Sequence, residues 1–149
     1  MKKLLLALLF FAGADLLAAP NPVLWTYSAK KTGDKTYELK FVATVSAPWH
    51  IYSQYTPAGG PAPTVITMAK NPLLLSVGGA FKEEGKLVEK YEEVFGIKIK
   101  YFNGNVVFTR KIQLRANVKT ILTGTVEYMA CDDTQCLPPM SVPFSVKLN

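Results

Sequence analysis

The sequence has little of what metal and haem sites need. It contains two cysteines, Cys131 and Cys136, and a single histidine, His50. Three such side chains fall short of the four ligands of a structural zinc site. Neither cysteine is followed by the Cys and His spacing of haem attachment. We therefore expect no metal site and no cofactor in this protein.

Long apolar runs and clustered basic charge are also missing. The longest uncharged apolar run, 4–14, is far shorter than the roughly 20 residues of a membrane-spanning helix, and Asp15 interrupts it. The formal net charge is +6. The basic residues are scattered, however, and do not form a stripe with interleaved aromatic residues, as nucleic-acid binding would require. The sequence therefore predicts neither a nucleic-acid partner nor a spanning helix.

The N-terminus has the layout of a secretory signal peptide. Lys2 and Lys3 precede the apolar run, which leads into the small-residue stretch 17–20. We expect removal of residues 1–19, with no cysteine near the junction to carry a lipid and no stable membrane anchor afterwards. The remaining 20–149, about 130 residues, suit one domain with a sizeable core.

The mature sequence is a series of short runs rich in Val, Ile, Thr, Tyr and Phe. Clusters of Gly, Pro, Asn and Asp separate these runs at intervals of about ten residues, which is typical of a β-sandwich. Several runs alternate apolar and polar residues with period two, as half-buried strands do. The sequence therefore predicts an all-β protein with two antiparallel sheets. The predicted strands are 23–29, 36–46, 50–55, 65–68, 73–77, 97–102, 106–116, 121–130 and 142–148.

Turn residues support this interpretation. Gly33-Asp34 and Asn103-Gly104 each predict a hairpin turn. The segment 81–95 is rich in Lys and Glu, which favour helix, but Gly85 interrupts it. We predict an irregular segment there, with a strand possible at 87–90.

The segment 128–139 carries the candidate chemistry. It places Cys131 at the end of a predicted strand and Cys136 across a polar turn, so pairing of the flanking segments would bring the sulfurs within bonding distance. In an oxidising compartment such a pair is expected to be able to form a disulfide. Asp132 and Asp133 disfavour the Cys131 thiolate, so a partner would have to supply the activated cysteine or complete the environment of the pair during docking. An inert structural disulfide remains open, although a loop this short contributes only about 2 kcal/mol.

Around these cysteines the sequence resembles the N-terminal periplasmic domain of the DsbD-type thiol:disulfide interchange proteins. The resemblance extends more weakly over 23–148. Residues 49–52 resemble the aromatic strand of that family, and residues 92–96 resemble its acidic-aromatic cap loop. The residues that carry the main match are Cys131, Asp132, Cys136, Leu137, Pro138 and Pro139.

The resemblance implies an immunoglobulin-like sandwich located in the periplasm. Such a domain would accept electrons from a thioredoxin-like redox protein or a membrane electron donor. It would then reduce disulfides in periplasmic client proteins, including isomerases and cytochrome c maturation factors. By the family pattern, Cys136 forms the mixed disulfide, Cys131 resolves it, and either Val94 or Phe95 shields the pair. The implied site-lining residues are His50, Tyr52, Glu93, Val94, Phe95 and Asp132.

The sequence departs from the family pattern at two points. Four residues separate the cysteines where the best-known members have five, and His50 stands where a phenol is usual. The sequence also contains no multi-helix membrane part and no thioredoxin-like domain, so we expect the electron source to be a separate protein. The alternative is a non-enzymatic exported binding module with an inert disulfide, whose reduction potential should lie below about −300 mV.

Overall fold

The computed structural model describes residues 21–75 and 79–149, which form two antiparallel β-sheets. The predicted leader, 1–19, and the end of the predicted strand 73–77 lie outside the described residues. Every regular element in the described part is a strand, and no helix there is long and apolar enough to cross a membrane. The strands are β1 Val23–Lys31, β2 Thr36–Val45, β3 His50–Tyr52, β4 Val65–Met68, β5 Leu74–Leu75, β6 Lys82–Glu92, β7 Ile97–Leu114, β8 Thr120–Tyr128, β9 Ala130–Cys131 and β10 Met140–Leu148.

The larger sheet is built around β7. Its strand order is β1-β2-β7-β3-β9, and β5 and β6 also pair with β7. The smaller sheet has the order β10-β8-β4. The β1–β2 hairpin turns at Gly33-Asp34, where the amide of Thr32 donates to the carbonyl of Thr36 at 2.8 Å. This hairpin was predicted from the sequence.

The main core fills the space between the two sheets. In β2, burial alternates as the period-two pattern requires, with Tyr37, Leu39, Phe41 and Ala43 buried. The ring of Phe41 lies 4.7 Å from that of Phe144 on β10, which joins the two layers. The prediction of an all-β sandwich is therefore confirmed.

The prediction for segment 81–95 is right in part: the strand at 87–90 is present, but it is longer than predicted and the segment is not irregular. The prediction of a hairpin turn at Asn103-Gly104 is wrong. Segment 81–95 contains the strand β6, which among the described residues pairs with β7 alone and whose side chains are mostly exposed. Lys and Glu suit an exposed edge strand because their charge opposes pairing with another chain. Asn103-Gly104 is not a hairpin turn, since β7 continues through it and Gly104 adopts a φ of 71° beside a register shift.

Strand β7 is long enough to extend from the main core into a second region of the structure. Its C-terminal half pairs with β2, whereas residues Tyr101, Phe102 and Asn103 pair with β3. On its other side, β3 pairs with the short β9. This end of the larger sheet carries a separate small cluster in which Tyr52, Ile99 and Cys131 are buried.

Candidate functional site

The two cysteines form a disulfide bond at the end of β9. Their Cα atoms are 4.0 Å apart, and a four-residue turn, 132–135, connects them. The two sides of the bond differ in access to solvent, because Cys131 is 1% exposed whereas Cys136 is an exposed residue. An approaching partner therefore meets Cys136 first.

Asp132 organises the turn between the cysteines. Its Oδ1 accepts hydrogen bonds from the Thr134 amide at 2.7 Å, the Thr134 hydroxyl at 2.8 Å and the Gln135 amide at 2.8 Å. These hydrogen bonds, first of all that from the Thr134 amide, lower the pKa of Asp132. The amide of Leu137 then donates to the carbonyl of Ala130 at 2.9 Å, which closes the loop.

Three aromatic rings lie beside the disulfide on β3 and β7. We call His50, Tyr52 and Tyr101 the aromatic trio. The imidazole of His50 lies 4.3 Å from the ring of Tyr101 and 5.4 Å from that of Tyr52, and its Nε2 lies 3.2 Å from the Tyr52 hydroxyl. The trio forms a fixed aromatic wall because each ring contacts another.

The surroundings of His50 and Tyr52 favour the uncharged form of each. Burial, with contributions from Glu92 and Tyr101, raises the pKa of Tyr52 to about 12. Burial also lowers the pKa of His50, and Lys90 lowers it further, while Asp133 and Asp132 act in the opposite direction. The phenol and the imidazole are therefore both neutral near pH 7.

A carboxylate on β6 fixes the chain that follows β3. Glu83 accepts hydrogen bonds from the Ser53 hydroxyl at 2.6 Å, the Gln54 amide at 2.8 Å and the Gln54 side chain at 3.1 Å. The hydroxyl of Thr64 donates to the Tyr52 carbonyl at 2.6 Å. The strand that carries His50 and Tyr52 is thus held at its end by polar contacts to two neighbouring segments.

The turn between β6 and β7, residues 93–96, contributes Val94 and Phe95 to the lining of the cleft that contains the disulfide. We call it the cap turn. The amide of Gly96 donates to the Glu92 carbonyl at 2.9 Å, and Gly96 adopts a φ of 66°, which glycine tolerates without strain. Val94 is 83% exposed and Phe95 is 45% exposed, so Phe95 is the more enclosed of the two predicted shields.

These elements enclose an open cleft of about 670 Å³, the disulfide cleft. It brings together all the sequence-predicted site residues except Glu93, which is exposed in the cap turn and does not line the cleft. Glu92, the preceding residue, lines it instead. The residues that line the cleft are His50, Tyr52, Pro61, Lys90, Glu92, Val94, Phe95, Ile99, Tyr101, Cys131, Asp132, Asp133, Thr134, Gln135 and Cys136.

The sequence analysis missed the contribution of β7 to this site. Ile99 and Tyr101 line the cleft and lie on one face of the strand, alternating with Lys98 and Lys100. The alternation is visible in the sequence. The register that places Tyr101 opposite Tyr52 is not, because strand pairing depends on the whole sheet.

The chemical capacity of the cleft lies in its disulfide. Within residues 21–75 and 79–149, no group of three or more His, Cys, Asp or Glu side chains could hold a metal ion. The cleft offers an accessible sulfur at Cys136, a neutral imidazole and three carboxylates, on Glu92, Asp132 and Asp133. This arrangement suits attack by or on a partner's sulfur.

Solved structures with the same fold come from the DsbD and ScsB proteins. The reduced DsbD N-terminal domain of Neisseria meningitidis is 18% identical, with 91% of this chain and 92% of that chain covered and a TM-score of 0.57. The N-terminal periplasmic domain of ScsB from Proteus mirabilis is 17% identical, with 83% of this chain and 44% of that chain covered and a TM-score of 0.51.

A further solved structure contains a related domain bound to a second protein. It is the complex between the DsbD N-terminal and PilB N-terminal domains of Neisseria meningitidis, at 17% identity, with 89% of this chain and 88% of that chain covered and a TM-score of 0.51. At these identities the matches establish the fold, and the immunoglobulin-like sandwich implied by the resemblance is confirmed.

The family assignment comes from the sequence itself. No curated protein matches this chain. The family described as "Thiol:disulfide interchange protein DsbD, N-terminal" matches residues 14–147, which is most of the sequence. The chain therefore belongs to the family of DsbD N-terminal domains.

Proposed function

We propose that this protein performs thiol–disulfide exchange in the periplasm through Cys131 and Cys136. It passes electrons from a thioredoxin-like donor, or from a membrane electron donor, to the disulfides of client proteins. The observation that carries the proposal is a disulfide in an open cleft with one exposed and one buried cysteine. Family membership supports the same chemistry.

The exposed cysteine reacts first in each direction. A donor thiolate attacks Sγ of Cys136, a donor–Cys136 bond forms, and Cys131 leaves as a thiolate that takes up a proton. A second donor thiol then releases Cys136, so that the donor is oxidised by two electrons and the pair is reduced. Toward a client, the Cys136 thiolate attacks the client disulfide, and Cys131 resolves the mixed disulfide to release the reduced client.

The remaining predicted site residues control access and shape. Phe95 covers the disulfide until a partner displaces it, and Val94, which is more exposed, forms the outer rim of the cap turn. His50 and Tyr52 form the wall beside Cys131. Asp132 holds the turn that presents Cys136. Glu93 contributes charge at the edge of the docking surface.

The location and the protein partner rest on separate observations. The N-terminal pattern of a signal peptide and the periplasmic domain of ScsB with the same fold support a periplasmic protein. The complex of a related domain with the PilB N-terminal domain supports docking of a second protein. We propose removal of residues 1–19 and action of 20–149 as one domain.

Trapping of the mixed disulfide tests the proposal. Cys131→Ala leaves a reactive Cys136 without a resolving thiol, so it should accumulate covalent adducts with a thioredoxin-like protein or with clients. Cys136→Ala should accumulate far fewer, because the remaining thiol is buried. The adducts are read on non-reducing gels of periplasmic extracts and identified by mass spectrometry after reduction.

The double variant Cys131→Ala with Cys136→Ala is the matched control and should give no adduct. Equal trapping by both single variants would contradict the roles assigned to Cys131 and Cys136, but it would still support thiol–disulfide exchange. Absence of adducts from every variant, together with a reduction potential below about −300 mV, would replace the redox function with the binding module that carries an inert disulfide.

A further inference from the structure

The one histidine of the chain stands directly opposite the buried cysteine. His50 on β3 and Cys131 on β9 are register partners in an antiparallel pair. Side chains of such partners project from the same face of the sheet, with Cβ atoms about 4.5–5.5 Å apart. Both residues also line the disulfide cleft. The imidazole is therefore the cross-strand neighbour of the Cys131 side chain.

Only one of the two cysteines needs help with its proton. Thiol–disulfide exchange requires a thiolate, and an ordinary cysteine with a pKa near 8.5 is mostly protonated at pH 7. Cys136 is exposed and can lose its proton to water. Cys131 is 1% exposed, so its thiol has little contact with solvent, and burial disfavours its thiolate. Resolution by Cys131 therefore calls for a proton acceptor within the protein.

The imidazole is held in a state that can accept this proton. It packs against the rings of Tyr52 and Tyr101, and burial lowers its pKa, which keeps it neutral near pH 7. Nε2 lies 3.2 Å from the Tyr52 hydroxyl. When Nε2–H donates to that oxygen, the lone pair of Nδ1 is the acceptor position left on the ring.

The other groups around His50 are less suitable acceptors. The carboxylate of Asp132 already accepts three hydrogen bonds from its own turn, which lower its pKa. Asp133 is exposed in the same turn, and Glu92 lies on β6. The titratable and charged groups that face the imidazole from the surrounding elements are Tyr52, Lys90, Glu92, Tyr101, Cys131, Asp132 and Asp133.

We propose that His50 accepts the thiol proton of Cys131 when Cys131 resolves a mixed disulfide on Cys136. This inference rests on the proposed function. The Cys131 thiolate attacks Sγ of Cys136, the Cys131–Cys136 bond forms, and the bond from Cys136 to the partner sulfur breaks. The partner leaves as a thiolate and takes up a proton, which the imidazolium can return. The cysteine pair loses two electrons, and the partner disulfide gains them.

Oxidised glutathione separates the two steps of the reaction. The reduced protein is mixed with a large excess of oxidised glutathione and quenched with acid, and mass spectrometry follows the glutathione adduct and its conversion to the intramolecular disulfide from pH 5 to 9. In the wild-type protein we expect the resolution rate to rise at the acid end of this range and to be level by neutral pH, because the lowered pKa of His50 leaves the imidazole neutral there.

The variant His50→Phe keeps an aromatic ring but removes the acceptor. Its resolution rate should keep rising up to at least pH 8.5 and should be lower at pH 7 by up to about 30-fold, the factor by which an ordinary cysteine is short of thiolate there. Formation of the adduct on Cys136 should be unchanged. His50→Gln, which also lacks a titratable nitrogen, should show the same profile and serves if the Phe variant fails to fold.

Asn103→Ala is the matched control, because Asn103 is the other register partner of His50 and lies on β7. It should keep the wild-type profile. Wild-type profiles in both His50 variants, or equal slowing of both steps, would overturn the inference. If the trapping experiment gives protein adducts but the His50 variants resolve the glutathione adduct as the wild type does, the role of His50 is refuted and the proposed function stands. If the His50 variants slow resolution of the glutathione adduct but the trapping experiment gives no protein adduct, the proposed function is refuted and the role of His50 stands.

Discussion

The two hydrophobic clusters of this protein differ in what surrounds them. The main core lies between two sheets and is closed by aromatic rings such as Phe41, Phe81 and Phe144. The small cluster of Tyr52, Ile99 and Cys131 lies at one end of the larger sheet and opens onto the disulfide cleft. The first region should therefore set the stability of the fold, whereas the second should set the reactivity of the disulfide.

The largest effect should follow from a change in the main core. Phe41 is fully buried, and its ring contacts Tyr27, Phe81 and Phe144. Phe41→Ala should lower the free energy of unfolding by about 3–5 kcal/mol through lost burial and a cavity. Urea denaturation of the oxidised protein measures this loss, with the milder Phe41→Leu as its control. Thiol reactivity of the folded, reduced protein should not change, and a large change would show that the two regions are coupled.

An intermediate effect is expected from Tyr52 in alkaline solution. Its pKa is raised in the folded protein to about 12, from 10.0. Stability from this group is therefore fully present below pH 10 and is lost as the pH rises toward 12, because the unfolded chain ionises first. By pH 11 the free energy of unfolding of the wild-type protein should have fallen by about 1.4 kcal/mol more than that of the Tyr52→Phe variant.

Denaturation curves at pH 9 and pH 11 provide this comparison for the two proteins. Burial also raises the pKa of Tyr27 and of Tyr128, but both proteins retain these residues, so their contribution cancels in the difference. An equal loss of stability in wild type and Tyr52→Phe would mean that Tyr52 is more open to solvent than its position in the small cluster implies.

The smallest effect on stability, but a clear one on reactivity, is expected at the cap turn. Phe95 is 45% exposed and lines the cleft. Phe95→Ala should cost far less than the roughly 3–5 kcal/mol of a buried phenylalanine and should speed alkylation of the reduced thiols by a small reagent. Val94→Ala, at the more exposed neighbouring residue, should change neither the stability nor the alkylation rate. Strong destabilisation with unchanged alkylation would assign Phe95 to the hydrophobic core.

The main core was the more predictable region from sequence. Alternation in β2 and the Gly33-Asp34 turn are local signals, and both gave the correct structure. In segment 81–95 only the strand at 87–90 was foreseen, because the Lys and Glu residues and Gly85 give no local strand signal, whereas pairing with β7 extends β6 over 82–92. The Asn103-Gly104 pair resembles a hairpin turn but sits beside a bulge, where glycine supplies the same positive φ.

The part of the candidate site that belongs to recognisable sequence motifs could be predicted from the sequence. The cysteine motif and the family resemblance named residues that now line one cleft, including His50, Tyr52 and Phe95. Tyr101 was not predicted as a site residue, because its position beside Tyr52 depends on the register between β3 and β7, which are far apart in the sequence. Glu92, the last residue of β6, was not named, although it lines the cleft, whereas Glu93 in the cap turn does not.

The hydrogen bonds of the 132–135 turn bear on how the family tolerates length changes. The bonds from Thr134 and Gln135 to Asp132 stay within the turn, while β9 ends at Cys131 and the Leu137 amide returns to Ala130. An added or deleted residue there would alter the loop without shifting any strand register. The spacing between the two cysteines is thus independent of the strand pairing, so an inserted residue in this turn should move the exposed sulfur of Cys136 while the two sheets stay unchanged.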